Sequence, residues 1–248
     1  MLDLNQIYHG DCLEIMKSID DKSVDMVLCD LPYGTTACKW DTIIPFESLW
    51  AHYKRIIKPN GAIVLTASQP FTSALVMSNV KWFRHEWIWV KNTSSGMMLA
   101  GKAPMKRHEN VLVFAEKQTK FNPQKILGSE TSQNHSKKGY KYTNKSSKLY
   151  DVEGGVPFVW SEFINPHSVL PCNSVGNRDK GKIHPTQKPV SLFEYLIKTY
   201  TDEQDLVLDN CAGSGTTGVA CKNTKRQFIL IEKDDKYFQA AKKRIDQI

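Results

Sequence analysis

Cysteine is sparse in this sequence, and its spacing completes no metal site. Six cysteines occur in 248 residues without a Cys-x-x-Cys pair, and no further ligand joins the neighbouring His9 and Cys12. The chain also lacks the run of 18 apolar residues that crosses a bilayer, and it does not open with a signal peptide. We therefore expect a soluble cytoplasmic protein with reduced thiols, no metal ion and no membrane association.

Acidic residues are nearly absent from one segment, and this segment carries the whole net charge of +7. Between Lys117 and Lys148 there are eight lysines and one acid, Glu130, whereas basic and acidic residues balance elsewhere. Most charge runs are solvated surfaces. Here, however, aromatic, asparagine and glutamine side chains alternate with the lysines, a mixture suited to phosphate and base contacts. We predict that the segment binds nucleic acid, and we assign the contacts to Lys137, Lys138, Lys141 and Lys145.

Short apolar runs and helical spacing alternate on both sides of the lysine-rich segment. The runs predict strands at 6–9, 24–29, 62–67, 85–90, 110–115, 205–208 and 227–231. The spacing predicts helices at 12–19, 46–58, 70–79, 190–200 and 237–245. A further helix is predicted to begin within the glycine-rich stretch 213–218 and to end at residue 221. Gly61 is expected to follow the helix at 46–58 as its C-terminal stop.

Residues 118–182 interrupt this alternation. They are polar, rich in glycine, serine, asparagine and lysine, and too numerous for a plain loop in a compact domain. We therefore expect an α/β domain formed by 1–117 and 183–248, with a smaller module or partly disordered arm inserted at 118–182.

The residues after the strand at 24–29 combine an acid, a proline, an aromatic ring and a glycine. Ligands bind outside the carboxyl ends of strands in open α/β sheets, so Asp30 and Tyr33 are expected to face a crevice. A planar base would stack on Tyr33 while its amino group donates to Asp30 and to the Leu31 carbonyl. That carbonyl is free because Pro32 stays out of sheet pairing. The alternative is a plain strand and turn, with Asp30 capping a helix.

A glycine-rich loop lies between the last two predicted strands. Gly213, Gly215 and Gly218 follow the strand at 205–208, and Glu232 ends the next strand. This order is the nucleotide-binding arrangement, in which the acid takes two ribose hydroxyls. Asp209 would repel a pyrophosphate but suits a cationic amine. We therefore predict S-adenosylmethionine (SAM), which carries an ammonium and a sulfonium. A glycine turn needed only for helix–strand packing is the alternative.

Two motifs together resemble those of amino-methylating DNA methyltransferases. Asp30-Leu31-Pro32-Tyr33 is similar to their Asp-Pro-Pro-Tyr motif, and residues 209–218 are similar to their Asp-Pro-Phe-x-Gly-Ser-Gly-Thr-Thr-Gly motif. His-Pro-Thr-Gln-Lys-Pro at 184–189 resembles the segment before the cofactor motif in the β-class. The order, catalytic motif first, is that of the same class. The resemblance covers about 1–116 and 183–248. Leu31 replaces a proline, and Asn210-Cys211 replaces Pro-Phe, which removes an aromatic surface.

The resemblance implies a fold and a set of site residues. The fold is a Rossmann-like SAM-dependent methyltransferase, with a mostly parallel seven-stranded sheet and helices on both faces. The last strand should lie beside the first, and the strand at 205–208 between the last strand and the strand at 24–29. The implied catalytic residues are Asp30, Leu31, Pro32 and Tyr33. The implied cofactor-binding residues are Asp11, Cys12, Thr186, Lys188, Asp209, Cys211, Gly213, Ser214, Gly215, Thr216, Thr217, Glu232 and Lys233.

Within that cofactor set the resemblance assigns individual roles. Asp11 would bind the adenine amino group of SAM, unless it serves only as the N-cap of the helix at 12–19. Glu232 would bind the ribose, and Asp209 with the glycine loop the methionine part. Thr186 and Lys188 would bind the carboxylate, at a helix N-terminus that favours anions.

The implied activity is methyl transfer from SAM to N6 of an adenine flipped out of double-stranded DNA, with S-adenosylhomocysteine as the product. The segment at 118–182 would recognise the target sequence, and a cognate restriction endonuclease or a second copy of the chain are further candidate partners. The competing functions are an N4-cytosine DNA methyltransferase, an RNA or protein amide methylase using the same pocket, and a non-catalytic DNA-binding partner. A carbon-5 cytosine methylase with Cys172 as nucleophile and a Rossmann oxidoreductase fit the motifs less well.

Overall fold

The computed structural model describes residues 2–36, 38, 41–138, 141–144, 156–159, 161–176, 179 and 181–248. The chain divides into two compact units, a larger one of Met1–Asn122 with Ser168–Ile248 and a smaller one of Pro123–His167. The smaller unit is shorter at both ends than the segment at 118–182 that the sequence pattern delimits. Within the described ranges, no helix is both long enough and apolar enough to cross a membrane.

Helices and strands alternate through the first part of the chain and again near its end. The elements up to the smaller unit are β1 (Gln6–His9), α1 (Cys12–Ile15), β2 (Val24–Cys29), α2 (Phe46–Ile56), β3 (Ile57–Ala67), α3 (Phe71–Ser78), β4 (Phe83–Ser95) and β5 (Lys106–Phe114). The smaller unit contains β6 (Ile126–Leu127), α4 (Glu130–Lys137), β7 (Lys141–Asn144), β8 (Val156–Val159) and β9 (Phe163–Ile164). The remaining elements are β10 (Val169–Pro171), α5 (Val190–Tyr200), β11 (Leu206–Asp209), α6 (Thr216–Asn223), β12 (Gln227–Glu232) and α7 (Asp235–Asp246).

Eight strands of the larger unit form one sheet in the order β1-β12-β11-β2-β3-β5-β4-β10. β5 runs antiparallel to both of its neighbours, and all the other pairs are parallel. The predicted neighbours are confirmed, because β12 lies beside β1 and β11 lies between β12 and β2. The described sheet has one strand more than the predicted seven. The extra strand, β10, is a three-residue edge strand inside the segment where no strand was predicted.

Helices cover both faces of this sheet, as predicted. Leu49 and Tyr53 of α2 pack on one face in a cluster that also includes α1 and α3, whereas Phe193 and Leu196 of α5 pack on the other face with α6 and α7. From Met26 to Cys29, successive residues of the buried strand β2 alternate between the two clusters, as the two-residue period of a strand requires. Both faces are therefore apolar, which leaves the ends of the strands for polar chemistry.

The prediction that Gly61 stops the second helix is wrong. α2 ends at Ile56, and β3 begins at the next residue and runs through Pro59 and Gly61. A Cβ on Gly61 would lie 2.7 Å from the main-chain oxygen of Asp25, next to an irregularity in the pairing of β2 with β3. Glycine is needed here because two strands approach closely.

The two strands of the β4–β5 hairpin are longer than their apolar cores. The sequence predicts strands at 85–90 and 110–115, but pairing continues outward to Ser95 and Lys106. The outer residues are polar, and sequence periodicity does not detect them. In the smaller unit, β6 pairs with β9 and β7 with β8, both antiparallel.

Candidate active site

The carboxyl ends of four neighbouring parallel strands surround a cavity of about 940 Å³. Asp11 lies just after β1, Asp30 just after β2, Asp209 at the end of β11 and Glu232 at the end of β12. Both sequence motifs therefore open into the same cavity. Of the predicted catalytic and cofactor-binding residues, all but Gly215 and Thr217 line it.

Gly215 and Thr217 support the glycine loop from behind. Gly215 has φ of 71°, and a Cβ there would lie 3.0 Å from side-chain atoms of Ala241 and Ile245 on α7. Thr217 donates its hydroxyl hydrogen to the buried carboxylate of Asp209. The contacts of Gly215 and Thr217 therefore support the alternative interpretation of the loop, in which these residues serve packing.

Glu232 is held by backbone amides on either side. Oε2 accepts a hydrogen bond from Gly213 N at 2.7 Å, and Oε1 accepts one from Asp234 N at 2.8 Å. Gly213 reaches this position with φ of 51°, in the left-handed region that favours glycine. Burial raises the pKa of Glu232, although these amide bonds oppose the shift. The carboxylate can accept further hydrogen bonds beside these two, which fits a ribose diol.

Asp209 is nearly inaccessible and its carboxylate is used within the loop. Oδ1 accepts from Cys211 N at 3.0 Å, and Oδ2 accepts from Thr217. Burial raises the pKa of Asp209 to about 6, against the opposing effect of these hydrogen bonds. The carboxylate thus shapes the loop, and its contact with a cofactor amine stays a prediction.

Asp11 acts as the helix cap that the sequence left as one alternative. Its Oδ1 accepts from Leu13 N at 2.9 Å, and its Oδ2 accepts from Lys233 Nζ at 3.0 Å. The Lys233 bond is the main cause of a lowered pKa of Asp11. Its predicted contact with the cofactor adenine stays a prediction, and its position at the cavity is compatible with both roles. Cys12, the next residue, is a buried thiol whose pKa is raised by its neighbour Cys211 and by burial.

Asn210, where the family motif has proline, makes a contact that the sequence did not indicate. Its Oδ1 accepts a hydrogen bond from the hydroxyl of Tyr53 at 2.6 Å, and both residues are buried. Tyr53 lies on α2, so this bond ties the glycine loop to a helix far away in the chain. The amide of Asn210 thereby anchors the loop in place of a rigid proline ring.

The motif Asp30-Leu31-Pro32-Tyr33 forms a polar cluster around Asp30. Oδ1 accepts hydrogen bonds from the hydroxyl of Tyr33 at 2.8 Å and from the hydroxyl of Thr66. The Tyr33 ring stacks on Phe71 with centroids 5.2 Å apart, so one ring face is already used. Burial, followed by the nearby Asp30 charge, raises the pKa of Tyr33. The phenol is therefore a neutral hydrogen-bond donor that orients Asp30.

Lys188 lies on the Asp30 side of the cavity. Its Nζ is 2.6 Å from Asp30 Oδ2 and 3.5 Å from Glu109 Oε2. The contact of Lys188 with the cofactor carboxylate stays a prediction. That contact and the ion pair with Asp30 would compete for the same ammonium group. Its predicted companion, Thr186, has its hydroxyl 3.1 Å from Nδ1 of His184.

Glu109 was missed by the sequence analysis. It belongs to β5 and lines the cavity, and its Oε1 accepts a hydrogen bond from Lys91. The only local signal was an acid directly before the predicted strand at 110–115.

The four lysines assigned to nucleic acid lie in the smaller unit or outside the described residues. Lys137 ends α4 and Lys138 is its C-cap, and both are exposed. Lys141 begins β7, and Lys145 lies outside the described residues. The chemistry of this unit is thus described only in part, and its binding to DNA stays a prediction.

The chain is similar to known DNA methylases over most of its length. The sequence profile of a DNA methylase family, the N6/N4 methylases, matches residues 24–243. The type II methyltransferase M.HpaI of Haemophilus parainfluenzae is 29% identical over 252 residues, which span 96% of this chain and 73% of the relative. The crystal structure of an M1.HpyAVI–SAM complex is similar with a TM-score of 0.63 and 28% identity, covering 97% of this chain and 98% of the other.

A further solved structure is similar in fold alone. The PvuII DNA methyltransferase, described as cytosine-N4-specific, has a TM-score of 0.67 at 17% identity, covering 96% of this chain and 85% of the other.

Proposed function

Since the chain belongs to the N6/N4 DNA methylase family and uses SAM as methyl donor, we propose that it methylates N6 of adenine in double-stranded DNA. The observation that carries this proposal is the shared cavity. Asp30, Leu31 and Tyr33 line it together with the loop of Gly213 and the carboxylate of Glu232. A target amine and a methyl donor can therefore meet inside one site.

The residues around Asp30 can activate a weak nucleophile. The Asp30 carboxylate and the Leu31 carbonyl accept the two hydrogens of the amino group, and so direct its lone pair out of the ring. Tyr33 holds the flipped base by stacking, which offsets part of the few kcal/mol that extrusion costs. SAM supplies the electrophilic methyl group when bound. The protein contributes orientation and a fixed negative charge beside the reacting amine.

Adenine is proposed over cytosine because aspartate opens the catalytic motif. In the family that the sequence resembles, aspartate at this position goes mostly with adenine and serine mostly with cytosine. The fold does not discriminate between the bases, since the similar PvuII enzyme is described as cytosine-N4-specific. We also propose that the chain is the methyltransferase of a type II restriction–modification pair, as the description of M.HpaI suggests. A cognate endonuclease would then cleave the same DNA sequence when it is unmethylated.

The smaller unit is proposed to recognise the target sequence. The lysine-rich segment between Lys117 and Lys148 extends across most of this unit and supplies the net positive charge of the chain. Lysines that contact phosphates would position the duplex, and the interleaved polar and aromatic side chains would contact base edges.

The proposed function is tested by identifying the methylated base. Plasmid DNA from a methylation-deficient host is incubated with the protein and SAM, digested to nucleosides and analysed by mass spectrometry. We expect N6-methyldeoxyadenosine as the methylated nucleoside. Detection of N4-methyldeoxycytidine instead would mean that the target base is cytosine. Methylation of an RNA sample but not of DNA would reject DNA as the substrate.

A further inference from the structure

A buried lysine connects the catalytic carboxylate to a second acid. The side chain of Lys188 is 7% exposed, and its ammonium contacts Asp30 at 2.6 Å and Glu109 at 3.5 Å. Glu109 is 14% exposed and also accepts a hydrogen bond from Lys91 through its other oxygen. Four charged side chains of alternating sign therefore lie in a row between the end of β2 and strands β4 and β5. They are Asp30, Lys188, Glu109 and Lys91.

The hydrogen bonds of Asp30 leave one direction for a substrate amine. Oδ1 already accepts from the hydroxyls of Tyr33 and Thr66. Among the described residues, Oδ2 accepts a hydrogen bond from Lys188 alone. A carboxylate oxygen has two acceptor positions, so the remaining one is on the oxygen that Lys188 holds. An amine that donates to Asp30 must share this oxygen with the ammonium.

The two acids keep the ammonium charged in its buried position. Burial by itself would lower the pKa of Lys188, but the charges of Asp30 and Glu109 outweigh burial and raise it. The ammonium also lies 5.6 Å from the centroid of the Tyr33 ring. A fixed cation thus stands beside both groups that are proposed to contact the target base.

We propose that Lys188 and Glu109 are positioning residues for methyl transfer. Lys188 fixes the orientation and charge of the Asp30 carboxylate toward the amine, and Glu109 fixes Lys188 from the opposite side. The proposal rests on the proposed function only in requiring an amino-group substrate at Asp30, so it holds for adenine and cytosine alike. It differs from the cofactor-carboxylate role that the family resemblance implies for Lys188.

The test separates chemistry from cofactor binding. Lys188→Met and Glu109→Gln are compared with wild type in single-turnover methylation at saturating SAM and DNA, and the dissociation constant for SAM is measured by calorimetry. For Lys188→Met we expect a rate about 100-fold lower, as for other misplaced catalytic groups, with nearly unchanged SAM affinity. Glu109→Gln should show a smaller loss of the same kind. Lys17→Met, which breaks an exposed pair with Glu14, is the matched control and should behave as wild type.

Two further variants keep the test decisive if Lys188→Met fails to fold. Lys188→Met leaves Glu109 without one of its two cations, so the Lys188→Met/Glu109→Gln double variant, which removes both buried charges, should fold if the single variant does not. Its rate should be about 100-fold below that of wild type, the loss expected for Lys188→Met. Lys188→Arg keeps the cation and should recover part of the rate.

The possible outcomes separate this inference from the proposed function. If Lys188→Met binds SAM at least tenfold more weakly and regains the wild-type rate at saturating SAM, Lys188 is a cofactor ligand and the inference is overturned. The inference also fails if Lys188→Met is as fast as Lys17→Met. If wild type itself transfers no methyl group to either base of DNA, the proposed function fails instead.

Discussion

The backbone amide of Gly213 donates a hydrogen bond to Oε2 of Glu232 over 2.7 Å, and this bond joins the glycine loop to the end of β12. The same carboxylate accepts a second bond from Asp234 N. Two amides therefore orient an acid whose remaining acceptor positions are available to a ligand. This arrangement gives the first prediction.

Replacement of Glu232 by glutamine should weaken SAM binding. A glutamine keeps one acceptor oxygen and turns an NH₂ group toward a backbone N–H, so at least one charge-assisted bond to the ribose is lost. Such bonds contribute about 1.5–3 kcal/mol, which corresponds to a roughly 10- to 100-fold higher dissociation constant. Calorimetry measures this constant directly. Glu47→Gln on the exposed surface of α2 is the control, and equal affinities for both variants would contradict the assignment.

Replacement of Gly215 by alanine should destabilise the larger unit. Its φ of 71° is unfavourable for alanine, and the added Cβ would lie 3.0 Å from Ala241 and Ile245. We expect the free energy of unfolding to fall by about 1–3 kcal/mol in urea denaturation. Gly101→Ala is the matched control, because a Cβ there meets nothing within 4 Å. A Gly215→Ala protein as stable as the control would show that the loop tolerates a side chain.

The buried carboxylate of Asp209 should make the free energy of unfolding depend on pH. Burial raises its pKa from 3.8 to about 6, so between these values the folded protein binds more protons here than the unfolded chain. The contribution of Asp209 to the free energy of unfolding therefore falls as pH rises from about 4 to about 6, and is constant above. We expect wild type to lose stability relative to Asp209→Asn over this range in urea denaturation at stepped pH.

The control for this experiment is the exposed Asp20. Asp20→Asn makes the same substitution on the exposed surface, so it shows what the change from aspartate to asparagine does without burial. A difference between wild type and Asp209→Asn that rises with pH, or stays constant, would mean that the buried carboxylate is ionised throughout.

The position of both motifs at one edge of the sheet could be predicted from the sequence. β2, β11 and β12 are short apolar runs, each directly followed or ended by an acid, and parallel strands bring such ends together. The order of these strands came from the resemblance, because local patterns do not specify which strands pair. Gly61 was misassigned for the same reason, since its partner on β2 is visible only in three dimensions.

The side-chain pairing around Asp30 could not be predicted. Lys188 is 158 residues away in the chain, and Glu109 lies on an antiparallel strand on the far side of β3. Neither contact produces a periodicity or a motif. Lysine before a helix N-terminus fits an anionic ligand equally well, so local chemistry alone favoured the cofactor carboxylate. The pairing of Lys188 with Asp30 becomes visible only in the folded chain.

The lysines of the smaller unit should determine the salt dependence of DNA binding. Lys137 and Lys138 are exposed at the end of α4, and each contact with a phosphate contributes about 0.9 to the slope of log K against log salt. Replacing both by glutamine should reduce the slope by up to about 1.8 in fluorescence-anisotropy titrations. Lys242 and Lys243, an adjacent exposed pair on α7, are the matched control. An unchanged slope for the Lys137/Lys138 variant would mean that these residues do not contact DNA.

The central claim is that Asp30 acts on the target amine and not on the cofactor. Its most direct test compares wild type with Asp30→Ala in single-turnover methylation of DNA, with SAM affinity measured on the same samples. We predict that Asp30→Ala binds SAM as tightly as wild type and transfers no detectable methyl group, because the amine loses its negative hydrogen-bond acceptor. Methyl transfer by Asp30→Ala at a rate near that of wild type would contradict the account.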